Sequence, residues 1–270
     1  MAIIGSDLDT SNSSAAVLRI GLLGCGNIAG IIAAHGGELA DITACHDIDA
    51  SRMRAYAERV GAVACQDRDA LLQGNYSLLV EAASVQAARD FLIPALAMGK
   101  DVLVLSVGAL TDTAFLEEVR GEASRRGRRV YVPSGAIFGL DNIKVARVAG
   151  LERLLLKTTK HPRALGLPDS AEYQRVFQGK ASEAVRRFPK NINVSAALGL
   201  AAGIEPDVEL WADPGATSNR HEIEAVGPFG KVSITTDNMP SPDNPATSYL
   251  AALSVLTLLK DLGDPIQVGT

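Results

Sequence analysis

The chain has 270 residues, a formal net charge of −5 and 47% hydrophobic residues, enough for one large domain or two moderate ones with ample core. The acidic balance, with no basic run carrying interleaved aromatics, argues against nucleic acid as a partner. Apolar runs broken by charge or glycine argue against a membrane span. The cysteines are three, Cys25, Cys45 and Cys65. An odd number set in or beside apparent core strands argues against a disulfide framework, and no histidines join them at metal-ligand spacing. Residues 1–16, rich in Ser, Asp and Asn and acidic where a signal peptide is basic, read as a flexible tail. The expectation is a cytoplasmic protein with no metal.

In chain order, the apolar run Val17–Leu23 leads into Gly24-Cys25-Gly26-Asn27-Ile28-Ala29. This is a buried strand, a tight glycine turn and a helix, the order that a dinucleotide-binding unit requires. Gly24 permits the turn, Gly26 lets a diphosphate approach the backbone, and Ala29 lets helix and strand pack closely. The N–H groups opening the helix, from Asn27 and Ile28 onward, then face the phosphates. Cys25, inside the turn, reads as a small apolar filler rather than a reactive thiol. A second strand, Ile42–Asp47, ends in an acidic side chain about 20 residues on, where Asp47 would accept hydrogen bonds from an adenosine ribose. A carboxylate there favours NAD. Arg52 is near enough in sequence to admit NADP.

Further strands are predicted at Ala62–Gln66, Tyr76–Ala82, Asp101–Leu105 and Arg129–Val132. Helices are predicted at Ile28–Leu39, Ala50–Val60, Val85–Met98 and Thr113–Arg126, with Asp49 and Ser84 as caps and Gly99 and Gly127 as stops. Alternation of this kind predicts a doubly wound parallel sheet in the order 3-2-1-4-5-6. Glu81–Ser84 and Ser106–Ala109 should then line the crevice beside the glycine turn. After Pro133 the pattern changes. Strands at Leu151–Thr159 and Asp207–Ala212, a short helix at Ser182–Phe188, a helical or buried run at Val194–Leu200 and a hairpin over Arg220–Thr236 predict a second α/β domain of mostly antiparallel sheet. The helix Tyr249–Leu259, capped by Ser248, is too apolar to stand alone and should pack back onto the first domain. The expected division is a tail at 1–16, a dinucleotide-binding domain at 17–135 joined by 246–270, and a substrate-binding and dimerisation domain at 136–245.

A nicotinamide enzyme needs one group to move a proton and charges to hold its substrate. Of four histidines, His35 falls late in the first helix and His46 at the adenosine end. His161 has no clear geometric argument. His221 opens a strand on which alternation puts His221, Ile223 and Ala225 on one face. The residues alone leave it open whether His221 is a satisfied core residue or a catalyst. They also leave open whether Asn193, in Phe188-Pro-Lys-Asn-Ile-Asn193-Val, caps a helix or, in an extended segment with Asn191, presents its amide to the nicotinamide carboxamide. The glycines of Pro133–Asp141 read as a hinge or as cofactor contacts. Lys157, Lys160, Arg163 and Lys190 give the second domain positive charge, available for clamping carboxylates or simply solvated.

Together the GCGNIA turn, Val80–Ser84, Leu105–Leu110, Ser134–Ile137, Phe188–Val194, Asn219-Arg-His221 and Pro240–Ser248 resemble the L-aspartate dehydrogenases, over nearly all of the chain from Arg19 to about Leu262. The resemblance implies a Rossmann domain joined to a dimer-forming α/β domain. It implies oxidation of L-aspartate to iminoaspartate with NAD or NADP, the imine going to NAD biosynthesis or hydrolysing to oxaloacetate and ammonia. It further implies that His221 is catalytic and that Ala136 and Asn193 contact the cofactor, joining Gly24, Gly26, Asn27, Ile28, Asp47 and Ser84. Substrate contacts are expected from 158–166, with Lys160 and Arg163 as the residues to test. The competing readings are another amino-acid or semialdehyde dehydrogenase or reductase on the same scaffold, and a non-catalytic dinucleotide sensor.

Overall fold

The computed structural model describes residues 17–168, 172–188, 193–241 and 244–269. The predicted tail at 1–16, Lys190 and Asn191 lie outside the described residues. Strands β1 (Leu18–Leu23), β2 (Ala40–His46), β3 (Val63–Ala64), β4 (Leu78–Glu81), β5 (Asp101–Val104) and β6 (Val130–Tyr131) form one sheet in the order β3-β2-β1-β4-β5-β6. All of its pairings are parallel, as the alternating pattern predicts.

Successive strand residues point to opposite faces, and both faces are covered. Leu79, Val102 and Val104 pack with Phe91, Leu92 and Leu96 of α4 (Val85–Ala97) and with Phe115 and Val119 of α5 (Thr113–Arg126). Ile20, Leu22, Leu78, Val80 and Leu103 pack against α1 (Asn27–His35) and α2 (Ala50–Val60). The side-chain caps predicted for α2 and α4 hold. Asp49 accepts from the Ser51 and Arg52 N–H groups, Ser84 accepts from Ala87 N–H, and Gly127 closes α5 in the left-handed region.

Two predictions in this half are corrected. The first helix ends at His35 rather than Leu39, because Gly36 and Gly37 stop it and Ala40 already starts β2. The third strand shortens to Val63–Ala64, since Asp67 caps a helix that apolar periodicity did not reveal, α3 (Arg68–Leu72). A 3₁₀ turn over Val107–Thr111 follows β5.

The second sheet has the order β11-β10-β7-β9-β8. It is built from β7 (Arg153–Lys160), β8 (Gln174–Lys180), β9 (Asp207–Ala212), β10 (Asn219–Gly227) and β11 (Gly230–Asn238). Only β7 and β9 pair in parallel; the other neighbours are antiparallel. Helices α6 (Leu140–Ala149), α7 (Ala181–Arg187) and α8 (Asn193–Ala202) cover one face, where Ile143, Ala184 and Leu198 meet Leu154, Leu156, Leu210 and Ile223. Strand β8 and helix α6 were not predicted. Of α6 only the start, in Pro133–Asp141, was read, as a passage between domains, yet Gly139, at φ +85°, turns the chain straight into a helix.

A short ladder of β12 (Pro240–Ser241) with β13 (Asn244–Ser248) leads into α9 (Tyr249–Gly263). Val255 and Leu259 of α9 are buried in the Rossmann core beside Ile20, Leu22 and Ile32. The last helix therefore clamps the return of the chain onto α1. Leu259→Ala is expected to destabilise the protein by about 2–5 kcal/mol, read as a lower denaturation midpoint. Exposed Thr257→Ala on the same helix should change stability by no more than about 0.5 kcal/mol.

Candidate functional site

A parallel sheet leaves all its carboxyl ends on one side, and the chain builds its crevice there. Gly24 ends β1 at φ +94°, and a Cβ on it would lie 2.6 Å from the Ala82 carbonyl oxygen. Only glycine fits this turn. Gly26 precedes α1 without any side-chain capping bond, and a Cβ placed on it meets nothing within 4 Å. The N–H groups of Asn27 and Ile28 thus open onto space in which a diphosphate fits. Ala29 is fully buried and accepts through its carbonyl from Tyr56 Oη at 3.0 Å.

Asp47 braces this turn. Its Oδ2 accepts from Cys25 N–H at 2.8 Å, and its Oδ1 accepts from Asp49 N–H at 2.8 Å and from Arg52 at 3.2 Å. The carboxylate keeps acceptor capacity for ribose hydroxyls, with a guanidinium beside it. Cys25, Cys45 and Cys65 are all buried and free; Cys25 is packed under the turn, as a filler would be.

Beyond the turn lies a cavity of about 410 Å³, within the size of a small-molecule site. Asn27, Ala82, Ala83 and Ser106 form the Rossmann wall, and Ala136, Lys160, Asn193, Asn219 and His221 face them. The wall is held by Glu81, a fully buried carboxylate. It accepts from the N–H groups of Ala83 (2.9 Å), Ser84 (3.1 Å) and Ser106 (2.9 Å) and from Ser106 Oγ (2.9 Å). Burial raises its pKa and these bonds oppose the rise.

The opposite wall is tied on by polar contacts. The Asn27 amide exchanges hydrogen bonds with Ser241 Oγ (2.9 and 3.1 Å). Asn238 Nδ2 donates to the Ala136 carbonyl (2.7 Å), and Gly135 N–H donates to Ser254 Oγ of α9 (3.1 Å). Asn193 opens α8 and accepts from Gly108 N–H at 3.0 Å. Its amide reaches the cavity from a helix start, not from the extended segment that one sequence reading assumed.

His221 is 4% exposed on β10, with Nδ1 2.9 Å from Thr158 Oγ1. Burial, and next the charge of Lys160, push its pKa down to about 3. Burial likewise lowers Lys160 to about 8. At neutral pH the cavity therefore holds a neutral imidazole beside a lysine that titrates within reach of working conditions.

Not every expected residue reaches the cavity. Ser84 does not line it; its hydroxyl caps α4, and Ala82 and Ala83 form the surface there. Arg163 is exposed in a 3₁₀ turn over Pro162–Leu165, outside the cavity lining. Lys157 points to the other face of the second sheet, where it pairs with Glu222 at 3.0 Å. His161 accepts from Arg163 N–H, and His46 Nδ1 lies 2.8 Å from the Cys65 carbonyl. Ser248 stands at the start of α9, but its hydroxyl makes no capping bond, contrary to expectation. Sequence reasoning placed Thr158 only within the stretch 158–166 expected to contact substrate and gave no individual role to Asn238 or Ser241; the parts of all three depend on contacts between segments far apart in the chain. Among the described residues no cluster of His, Cys, Asp and Glu suits a metal, and no helix is long and apolar enough to cross a membrane.

The chain is similar to known proteins. Residues 141–262 match the family model "Aspartate dehydrogenase, C-terminal", and residues 24–133 match "Homoserine dehydrogenase, NAD binding domain". The L-aspartate dehydrogenase of Methanospirillum hungatei is 48% identical, over 94% of this chain and 100% of its own length. That of Methanothermobacter thermautotrophicus is 41% identical over 94% of this chain and 99% of its own. The crystal structure of aspartate dehydrogenase from Thermotoga maritima superposes with a TM-score of 0.79 at 27% identity, covering 93% of this chain and 99% of that one. This chain belongs to the L-aspartate dehydrogenase family, as an oxidoreductase that uses NAD or NADP.

Proposed function

We propose that the protein oxidises L-aspartate to iminoaspartate, which hydrolyses to oxaloacetate and ammonia or feeds NAD biosynthesis, as a cytoplasmic homodimer joined through the second domain. The observation that carries this reading is the cavity itself. It sets a buried neutral histidine and a lysine against the open end of a dinucleotide turn. Gly24, Gly26, Asn27 and Ile28 would hold the diphosphate, and Asp47 the adenosine ribose. Ala82, Ala83, Ala136 and Asn193 would border the nicotinamide, with Ser84 acting from outside the lining through the helix that it caps. Bound there, the cofactor supplies a two-electron hydride acceptor.

The residues of the second domain do the rest. Lys160 attracts a substrate carboxylate into the cavity, and Arg163 contributes positive charge from outside its lining. The substrate amine is neutral before its Cα hydrogen leaves as hydride, so that the nitrogen lone pair can form the C=N bond. His221, itself uncharged, accepts a proton from the water that attacks the imine. Burial around the ring keeps bulk water from competing.

With purified protein, L-aspartate and NAD or NADP at alkaline pH, absorbance of reduced nicotinamide should rise, and it should not with D-aspartate or L-glutamate. Reduction with another amino acid and none with aspartate would move the assignment to a different dehydrogenase. Binding of cofactor without any turnover would favour a sensor. His221→Ala should lower turnover by roughly 10²-fold or more while cofactor affinity survives.

The lysine makes a prediction with a sign. Lys160 is charged below its pKa of about 8 and neutral above it, so its pull on a carboxylate is present below that pH and lost above. The substrate ammonium changes in the helpful direction over the same range. The rate kcat/KM should therefore pass through a maximum, and Lys160→Met should remove the alkaline fall while raising KM for aspartate. Arg52→Gln should weaken NADP by about 3–10-fold, as loss of a charge-assisted phosphate contact does, and leave NAD nearly unchanged in the same titration.

A further inference from the structure

Strands β7 and β10 are paired so that Thr158 stands directly opposite His221. Both are buried, at 3% and 4% exposure, and their Oγ1 and Nδ1 atoms lie 2.9 Å apart. Alternation puts Thr158 on the face of β7 that carries Leu154, Leu156 and Lys160. The row is apolar until it reaches the imidazole, then ends in a hydroxyl and an amine. Thr158 does not line the cavity and His221 does. With Nδ1 engaged by a residue outside the lining, Nε2 is the ring nitrogen that remains for the cavity. On the other side of His221, β11 places Thr236, whose buried Oγ1 has no hydrogen-bond partner among the described residues. Of the two hydroxyls flanking the ring across the sheet, one is bonded to it.

We propose that Thr158 is the positioning residue for His221, holding the ring through Nδ1 so that Nε2 meets the reacting atoms. This rests on the reading of His221 as the reacting histidine. A ring nitrogen is commonly held by a carboxylate or a carbonyl. A carboxylate at this place would favour the imidazolium and work against the neutral ring that the site maintains. A hydroxyl carries no charge and both donates and accepts. It accepts from Nδ1–H while Nε2 is a free base, and it accepts from the same N–H once Nε2 has taken a proton. Nothing around the ring then has to rearrange during proton transfer.

The test uses the full-length chain with three substitutions, Thr158→Val, Thr158→Ser and Thr236→Val. The first keeps the branched shape and deletes the hydroxyl. It should lower kcat by about 10–100-fold, as loss of an orienting partner does, with KM for aspartate and cofactor affinity within about twofold. Thr158→Ser should restore most of kcat, and Thr236→Val should match the parent. Long-range ¹H–¹⁵N spectra of histidine-labelled protein give a readout independent of turnover. His221 is one of four histidines and is identified by the signal lost in His221→Ala. The parent should show the Nδ1–H tautomer, and Thr158→Val a shift toward Nε2–H. Unchanged kcat and an unchanged tautomer in Thr158→Val overturn the proposal. So does an equal loss in the valine and serine variants with a lowered Tm, which marks a packing role. An inactive His221→Ala beside a fully active Thr158→Val removes Thr158 alone. A silent His221→Ala removes the reacting role of the histidine, and the proposal with it.

Discussion

Glu81 is a carboxylate with no exposed surface, and among the described residues no cation pairs with it. Burying such a charge is costly unless hydrogen bonds replace water. Glu81 obtains four, from Ala83, Ser84 and Ser106. Those donors come from the ends of two neighbouring strands, so satisfying one side chain fixes the geometry of both crevice loops. Ala82 and Ala83 then stand against Gly24, whose positive φ is compatible only with a side chain of no size. The cofactor wall is thus set by the requirement that a buried carboxylate be solvated by backbone.

The second domain approaches that wall by a similar logic. Its sheet is apolar where α6, α7 and α8 cover it and polar where β7 and β10 run out toward the Rossmann crevice. Contacts hold the two halves in register: Val107 against Ala196 and Ala197, Asn193 with Gly108, and Asn27 with Ser241. Each joins residues far apart in the chain. Burial in this seam lowers the pKa of both His221 and Lys160, and the charge of the lysine lowers that of the histidine further. The outcome is an uncharged imidazole next to a tunable cation, the pair that the proposed oxidation of an amino acid would use.

Much of this was legible in the sequence, because it is local or periodic. The glycine turn, the strand order, the caps at Asp49 and Ser84 and the burial of His221, Ile223 and Ala225 on one face all follow from spacing. The long hairpin did too, since Gly230 marks its turn. Strand β8 was missed because its residues Gln174–Lys180 are mostly polar and partly exposed, and so carry a weak alternation. Helix α6 was missed because Gly139 near its start reads as a hinge. Within the site, Ser84 and Ser248 show the limits of reading hydroxyls. One is committed to a cap rather than to the cavity, and the other sits at a cap position without capping. Thr158 fell inside the stretch 158–166 expected to contact substrate, but its pairing with His221 carried no signal, since that partner is 63 residues away and only the register of two strands brings them together.

The central claim is that substrate sits between Lys160 and His221 against the dinucleotide wall. A crystal structure with NAD and a dicarboxylate lacking the amine, which cannot be oxidised, tests it most directly. The account predicts one carboxylate against Lys160 Nζ, Cα of the ligand facing the nicotinamide, and His221 Nε2 turned toward that carbon. A dicarboxylate bound away from Lys160, or a His221 ring presenting Nδ1 to the cavity, would contradict it.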